Sequence, residues 1–355
     1  MNIVLLTRYD ALGASSRYRF YQFLPFLKKK DLSFEVSFLL SDDYVENLYK
    51  GNRLNSFLSV ILAYVKRFVV ILSSNKFDLV WMEKELFPWL PAFLESTLLR
   101  LGPPYIVDYD DAIFHRYDQH RFSLVRKLFG NKIKKVMRGA ATVIAGNRYI
   151  ADYAEEAGAR FVVIIPTVLD PGRYQKAYQK RNGRFTIGWI GSPSTSRHLR
   201  VAESALNEIY RNGAVQVVTI GAQPTDLCDL PVSTIPWLEE TETEDLRSFD
   251  VGIMPLPDTA WERGKCGFKL IQYMACGLPV IASPVGVNKE IVDHGVNGFL
   301  AAGTEGWIEY LEVLKKNPDL CRKMGAAGRK KVEDEYSLQS TAPRLVKLLK
   351  EAAEG

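Results

Sequence analysis

Two doubly wound α/β domains are predicted for this chain of 355 residues, on three observations. Short apolar runs rich in β-branched residues alternate with helical patterns from end to end. The runs are continuous rather than alternating, which is how strands read when helices cover both faces of a parallel sheet. They also fall into two series separated by a polar pause, and the length exceeds the about 250 to 300 residues at which a single core stops growing.

Taken in order, the first series is "NIVLLT", "FEVSFLL", "DLVWM", "YIVDY", "ATVIA" and "FVVIIPT", and the second is "FTIGWIG", "VQVVTIG", "VGIMPL", "PVIAS" and "GFLAA". Between them the polar, Pro- and Gly-containing segment "PTVLDPGRYQKAYQKRNGR" marks the seam. The expected domains are residues 1–170 and 171–335, followed by a last helix over 336–355. No sequence repeat relates the halves. One segment breaks the rhythm: Asn55 to Ser74, "NSFLSVILAYVKRFVVILSS", is apolar nearly all round but carries Lys66 and Arg67 at its middle. A charge at bilayer centre costs about 2.5 to 3.5 kcal/mol, so a transmembrane span is rejected. Two readings stay open, a core helix of the first domain and a membrane-interface helix.

Composition, 47% hydrophobic and 25% charged, is that of a folded globular protein. The net charge of +5 hides an asymmetry, since residues 1–180 carry 26 Lys and Arg against 18 Asp and Glu and the remainder is net acidic. A basic half suits an anionic partner, a membrane surface as readily as nucleic acid. The basic stretches "LKKK" and "KIKKVMR" favour the membrane. Cys228, Cys266, Cys276 and Cys321 form no CxxC pair and have no His at ligand spacing, so neither a zinc site nor a disulfide framework is expected. The start "MNIVLLTRYD" lacks the basic region and apolar length of a signal peptide. A cytoplasmic protein, peripheral on the inner membrane face, is the expectation.

Open parallel sheets bind ligands beyond the carboxyl ends of their strands. After the first strand, Gly13, Ala14, Ser15 and Ser16 precede a helix whose first turn can present backbone N–H groups to an anion. The spacing is not GxGxxG, which disfavours a nicotinamide cofactor; a turn of small residues without ligand duty is the other reading. After the fourth run, "VDYDDAIFH" places Asp108, Asp110, Asp111 and His115 together. Such carboxylates serve as general base, sugar-hydroxyl acceptor or metal ligands, or Asp111 simply caps the next helix. In the second half, "IGWIGSPSTSRHLRVAE" should set Gly191 to Ser196 at a helix start with Arg197 and His198 in its first turn. That arrangement suits phosphate; the alternative is an N-cap with a solvated arginine, and His198 is given no role. Trp237 in "IPWLEE" either stacks on a base or packs.

The segment "LPDTAWERGKCGFKLIQYMACGLPVIASPVGVNKEIVDHGVNGFLA" resembles the carboxyl-terminal donor-binding segment of the retaining glycosyltransferases of family 4, which have the GT-B fold. In that family it reads EGFGxxxxEAMAxGxPVIAS, followed by a GGxxE turn and an NG(F/L)L strand. The shared part here is "YMACGLPVIASPVG", Glu290 and "GVNGFL". The family's two glutamates, eight positions apart, fall on Gly264 and Gln272, and the arginine and lysine of its diphosphate clamp fall on Ser192 and Arg197. Lys265 and Lys269, four residues apart near a helix amino end, are expected to replace the missing cation.

The resemblance implies a GT-B architecture of two Rossmann-like domains facing a cleft, with the last helix returning to the first domain. It implies a hexose passing from a UDP- or GDP-sugar to a glycan or lipid-linked acceptor with retention. The basic first half and the Asn55 to Ser74 helix point to a lipid-linked acceptor in cell-surface polysaccharide biosynthesis, and with Arg197, Lys265 and Lys269 neutralising the diphosphate no metal, other cofactor or nucleic-acid partner is expected. Gln272 would then hold ribose, Glu290 and the Gly286 backbone the donor, Gly13 would face the phosphates, and Asp110 or Asp111 a hydroxyl. A sugar-nucleotide epimerase or hydrolase of the same fold, and a non-catalytic interaction protein, are the alternatives.

Overall fold

Strand β1 (Asn2–Tyr9) lies between β2 (Ser33–Leu40) and β3 (Leu79–Glu83), and pairs parallel with both. Beyond β3 the sheet continues through β4 (Tyr105–Tyr109), β5 (Thr142–Ala145) and β6 (Val162–Ile164), giving the order β2-β1-β3-β4-β5-β6. The second sheet has the order β12-β11-β10-β7-β8-β9, again wholly parallel. Its strands are β7 (Phe185–Ile190), β8 (Val215–Ile220), β9 (Val232–Ile235), β10 (Val251–Met254), β11 (Val280–Ala282) and β12 (Gly298–Leu300). The computed structural model describes residues 1–44, 56–174, 183–213, 215–222 and 232–354. Asn55, Cys228 and part of the expected seam lie outside them.

The runs that form inner strands are buried on both faces, as every residue of β3, β4 and β7 is, whereas the edge strand β2 leaves Ser33, Glu35 and Val36 exposed. β9 is the strand that no apolar run announces. It sits at the sheet edge, and its two central residues Ser233 and Thr234 are exposed, so it has no second face to bury.

The chain divides into two compact units. One comprises Met1–Thr167, Gly264–Cys266 and Thr341–Gly355; the other comprises Val168–Arg263 and Gly267–Ser340. The last helix, Leu338–Glu354, thus contributes residues from Thr341 onward to the first unit, where Leu345 and Leu349 are buried. The core of the first unit gathers Val4, Val80, Val107 and Val143 from four adjacent strands with Phe114 and Met137. That of the second gathers Ile187, Trp189, Val217 and Ile253 with Leu206 and Trp307. Truncating a buried tryptophan such as Trp189 to alanine costs about 3 to 5 kcal/mol.

The helix Ser56–Leu72 packs on β2, so one of its faces belongs to the core as the first of its two readings expected. Arg67 is buried and donates through one guanidinium nitrogen to the carbonyls of Thr7 (2.6 Å) and Ser37 (3.0 Å). Burial pushes this guanidinium down to about 10. One face of the helix is therefore core, while Ile61, Leu62, Val65, Val69 and Leu72 stay exposed. Among the described residues no helix is long and apolar enough to cross a membrane.

Candidate functional site

In each sheet the strand order reverses beside the first strand of the unit. The connection after β1 runs to β2 on one side while that after β3 runs to β4 on the other, and likewise the connection after β7 runs to β8 while that after β10 runs to β11 on the opposite side. Diverging connections open a crevice at the carboxyl ends of the two strands. The residues that follow β1 and β3, and those that follow β7 and β10, are the candidates.

In the first unit these residues form a charged cluster. Glu83 closes β3; its carboxylate accepts from Ser16 Oγ at 2.6 Å and from the Arg8 amide at 2.8 Å. Lys84 follows with φ +62°, the left-handed region that disfavours a side chain. Its ammonium pairs with Asp110 Oδ1 at 2.7 Å and donates to Ser15 Oγ at 3.0 Å, while the Ser15 hydroxyl donates to Asp110 Oδ2. Burial alone would raise Asp110, but Lys84 and Ser15 more than offset it and hold the carboxyl at about 2. Beneath it Asp108 pairs with Arg19 at 2.7 Å, yet burial outweighs the arginine and pushes Asp108 up to about 7.

Gly13 sits before the helix Ala14–Arg19 without offering its amide, which donates to the Asp10 carbonyl at 3.1 Å. A Cβ there would meet Tyr9 Cβ at 2.3 Å, so its demand is for space rather than for an anion. Asp111 does not cap a helix, because the next one, His115–Asp118, has Phe114 at its N-cap. Its carboxylate instead meets Lys265 Nζ at 3.2 Å.

That contact corrects the reading of Lys265. The helix that Lys265 was expected to open is Phe268–Ala275, with Gly267 at its N-cap, so Lys265 lies before it and groups with the first unit. Asn147, itself the N-cap of the helix Arg148–Glu156, donates from Nδ2 to the carbonyls of Gly264 (2.9 Å) and Lys265 (3.0 Å). Cys266 donates to the Asp110 carbonyl at 2.7 Å. A Cβ at Gly264 would come within 2.3 Å of Ala112 Cβ, which is the physical reason no glutamate stands there.

In the second unit, Lys269 lies in the first turn of its helix, with Nζ 4.9 Å from the Trp189 ring centroid. A Cβ on Gly191 would be 2.6 Å from this ammonium and 2.4 Å from Trp189 Cη2. The absence of a side chain at Gly191 thus lets the Trp189 ring and the Lys269 ammonium pack closely against the backbone at the end of β7. Its own amide donates to the Ile220 carbonyl at 3.0 Å, so the expected backbone donor at this position is already engaged. The segment after Ser192 is a 3₁₀ helix, Pro193–Ala202, rather than an α-helix; Arg197 is exposed on its second turn. His198, given no role from the sequence, is buried with Nε2 3.1 Å from Glu262 Oε1, and Thr259 donates to the other carboxylate oxygen. This pair ties the segment after β7 to the short helix Ala260–Arg263 that follows β10.

Gln272 is revised. It is buried, and its amide nitrogen donates to Glu242 Oε1 at 2.9 Å and faces the Tyr174 hydroxyl at 3.4 Å. It is an internal strut rather than an open ligand for ribose. Trp237 donates from its indole nitrogen to Glu242 Oε2 at 2.7 Å, which locks the ring's edge in the same network. Gly286 has φ +53° and approaches so closely that a Cβ would lie 2.5 Å from the Arg263 carbonyl. Glu290 has an exposed side chain in the helix Asn288–Ile291, and its backbone carbonyl accepts from Lys331 at 2.7 Å.

Among the described residues no group of three or more His, Cys, Asp or Glu is arranged to hold a metal ion. Sequence reading missed Arg19, Glu83, Lys84 and Asn147. The one available signal was "MEKE", charges placed immediately after a buried apolar run.

Residues 184–317 match the family model described as Glycosyl transferases group 1. The second unit carries a glycosyl transferases group 1 domain. Among curated proteins, N-acetyl-alpha-D-glucosaminyl L-malate synthase of Bacillus anthracis is 34% identical over 77 residues, 21% of this chain and 20% of that protein. The chain therefore spans only a small part, about a fifth, of the curated relative's length. Among solved structures, sucrose-phosphate synthase from Thermosynechococcus elongatus superimposes with a TM-score of 0.74 at 14% identity, covering 99% of this chain and 98% of that one. The Anabaena HepE structure in complex with UDP-glucose gives 0.72 at 15% identity, covering 99% and 100%. At such identities the likeness is one of fold, and the fold is that of GT-B glycosyltransferases.

Proposed function

We propose that this protein is a glycosyltransferase that moves a hexose from a UDP- or GDP-sugar to a glycan or lipid-linked acceptor in cell-surface polysaccharide assembly. The observation that carries the reading is the coincidence of the group 1 domain with a switch-point crevice at which the Lys269 ammonium lies beside the Trp189 ring and close against the Gly191 backbone. The UDP-glucose complex of HepE supports a nucleotide-sugar donor for a chain of this fold.

Sugar transfer leaves a nucleoside diphosphate, so the main demand on the protein is to neutralise charge that develops on the leaving oxygen. Lys269 and the exposed Arg197 supply cations, Arg197 on a segment that the His198–Glu262 pair ties to the helix Ala260–Arg263. Glu290, beside the close backbone approach at Gly286, accepts hydroxyls of the donor.

In the first unit, Asp110 stays ionised throughout the neutral range because Lys84 and Ser15 hold it near 2. A carboxyl so acidic is a poor proton acceptor. Its role is to accept a hydrogen bond from a sugar hydroxyl, and that fits retention better than a mechanism needing a strong general base. Asp111, steadied by Lys265, takes a second hydroxyl. No metal enters this scheme.

Calorimetric and thermal-shift titrations with a panel of sugar nucleotides test the reading, since a ligand of the folded state raises stability by mass action. One nucleotide should bind in the micromolar range and be turned over only when acceptor is added. Turnover without acceptor would point to an epimerase or hydrolase instead.

A further inference from the structure

We propose that the protein docks on an anionic lipid bilayer through one face of its first unit, formed by Trp89, Phe122, Leu124 and Leu128 with Arg121, Arg126 and Lys127 around it. The inference rests on the reading of a lipid-linked acceptor and assigns the surface that would meet it.

The helix Ser123–Phe129 has no buried residue. Phe122, Leu124 and Leu128 are 55%, 65% and 60% exposed, and Leu124 and Leu128 stand four residues apart on one helical face. The Trp89 ring, 45% exposed, extends the same patch: its centroid is 5.9 Å from His120 and 6.4 Å from Phe129, and His120 lies 5.5 Å from Phe122. Trp89 is held in the left-handed region at φ +63°, with its amide donating to the Tyr117 hydroxyl at 3.1 Å. A strained backbone that keeps a large aromatic in solvent needs a firm base. The base is the buried Lys132, which pairs with Glu85 at 2.7 Å and Glu95 at 3.2 Å and donates to the Phe87 carbonyl, fixing the segment that carries Trp89.

The charge pattern selects the occupant. Residues 119–151 hold eight Lys and Arg and no Asp or Glu. Of these, Arg121, Arg126, Lys127, Lys135, Arg138 and Arg148 are exposed, Arg148 being paired with Asp152 and Glu155. Arg121 lies over the Phe122 ring at 4.5 Å, and Arg126 donates to the His120 carbonyl at 2.6 Å, so cations are anchored at the border of the apolar patch. Aromatic and leucine side chains flanked by Arg and Lys are what an interfacial element presents to headgroups that carry negative charge.

By contrast, the exposed face of the helix Ser56–Leu72 offers little charge among the described residues, since Arg67 is buried and Lys66 folds over the Phe38 ring at 5.0 Å. The patch also follows β3 and β4, at the strand ends that carry Lys84 and Asp110. A bilayer bound there would deliver a membrane-anchored acceptor to those residues.

Flotation of the full chain with phosphatidylcholine vesicles, with and without phosphatidylglycerol, tests the assignment. The unaltered protein should bind only the anionic vesicles and release at high salt. Both Leu124→Ser with Leu128→Ser and Arg126→Glu with Lys127→Glu should weaken binding at least about tenfold, while Leu62→Ser with Val69→Ser should not. Unchanged UDP or GDP binding in each variant shows that it is folded. Equal binding by the patch variants, loss confined to the Leu62 and Val69 variant, or equal binding to neutral vesicles would overturn the proposal. Failure of the unaltered protein to bind any vesicle would also remove the lipid-acceptor reading but leave the donor site standing.

Discussion

At the scale of single residues, the two lysines of the "GKCGFK" stretch have separate duties. Lys269 lies over the Trp189 ring and against the Gly191 backbone, whereas Lys265 pairs with Asp111. A hydrogen bond to a charged group contributes about 1.5 to 3 kcal/mol, so Lys269→Ala should weaken nucleoside diphosphate binding by at least about tenfold, measured by calorimetry. Lys265→Ala should leave it within about twofold by the same reasoning.

The carboxylates of the first unit make opposite pH predictions. Asp110 has a lowered folded-state value, so its contribution is complete above its ordinary range and disappears as pH falls toward about 2. Asp108 is raised to about 7, so its contribution is present in acid and is lost as pH climbs from its ordinary range through 7. Melting curves should therefore show Asp108→Asn gaining on the parent protein between pH 5 and pH 8. A constant gap would contradict the buried-carboxyl account. Asp110→Asn, which strands the Lys84 ammonium, should cost about 3 kcal/mol of stability in urea unfolding.

At the scale of elements, the continuous runs made both parallel sheets legible, because a strand buried on two faces has nowhere to put a polar residue. β9 escaped for the converse reason, being an edge strand with Ser233 and Thr234 in solvent. The Pro193–Ala202 segment was legible as helical but not as 3₁₀, since neither its proline nor its serines distinguish the two. Pairings such as Lys84 with Asp110 or Asn147 with Gly264 join residues far apart in the sequence and leave no local signal. Gly264 and Gln272 were legible as departures from a pattern, but only packing against Ala112 and the bond to Glu242 explain them. Gly191→Ala tests the junction after β7. Its methyl must displace Trp189 or Lys269, so stability should fall by about 1 to 3 kcal/mol, with donor affinity falling alongside; a neutral outcome would contradict the close packing of Trp189 and Lys269 on this glycine.

At the scale of the whole molecule, the second unit carries the group 1 domain and the first carries most of the positive charge and the exposed apolar faces. That division is the one the proposed function requires, with the diphosphate bound by the second unit and the acceptor met by the first. The most direct test is calorimetry of UDP and GDP against the full chain, paired with Lys269→Ala. One nucleotide should bind with Kd well below millimolar and lose at least about tenfold in the variant. Absence of binding by either nucleotide at millimolar concentration, or identical affinity in the variant, would contradict the account.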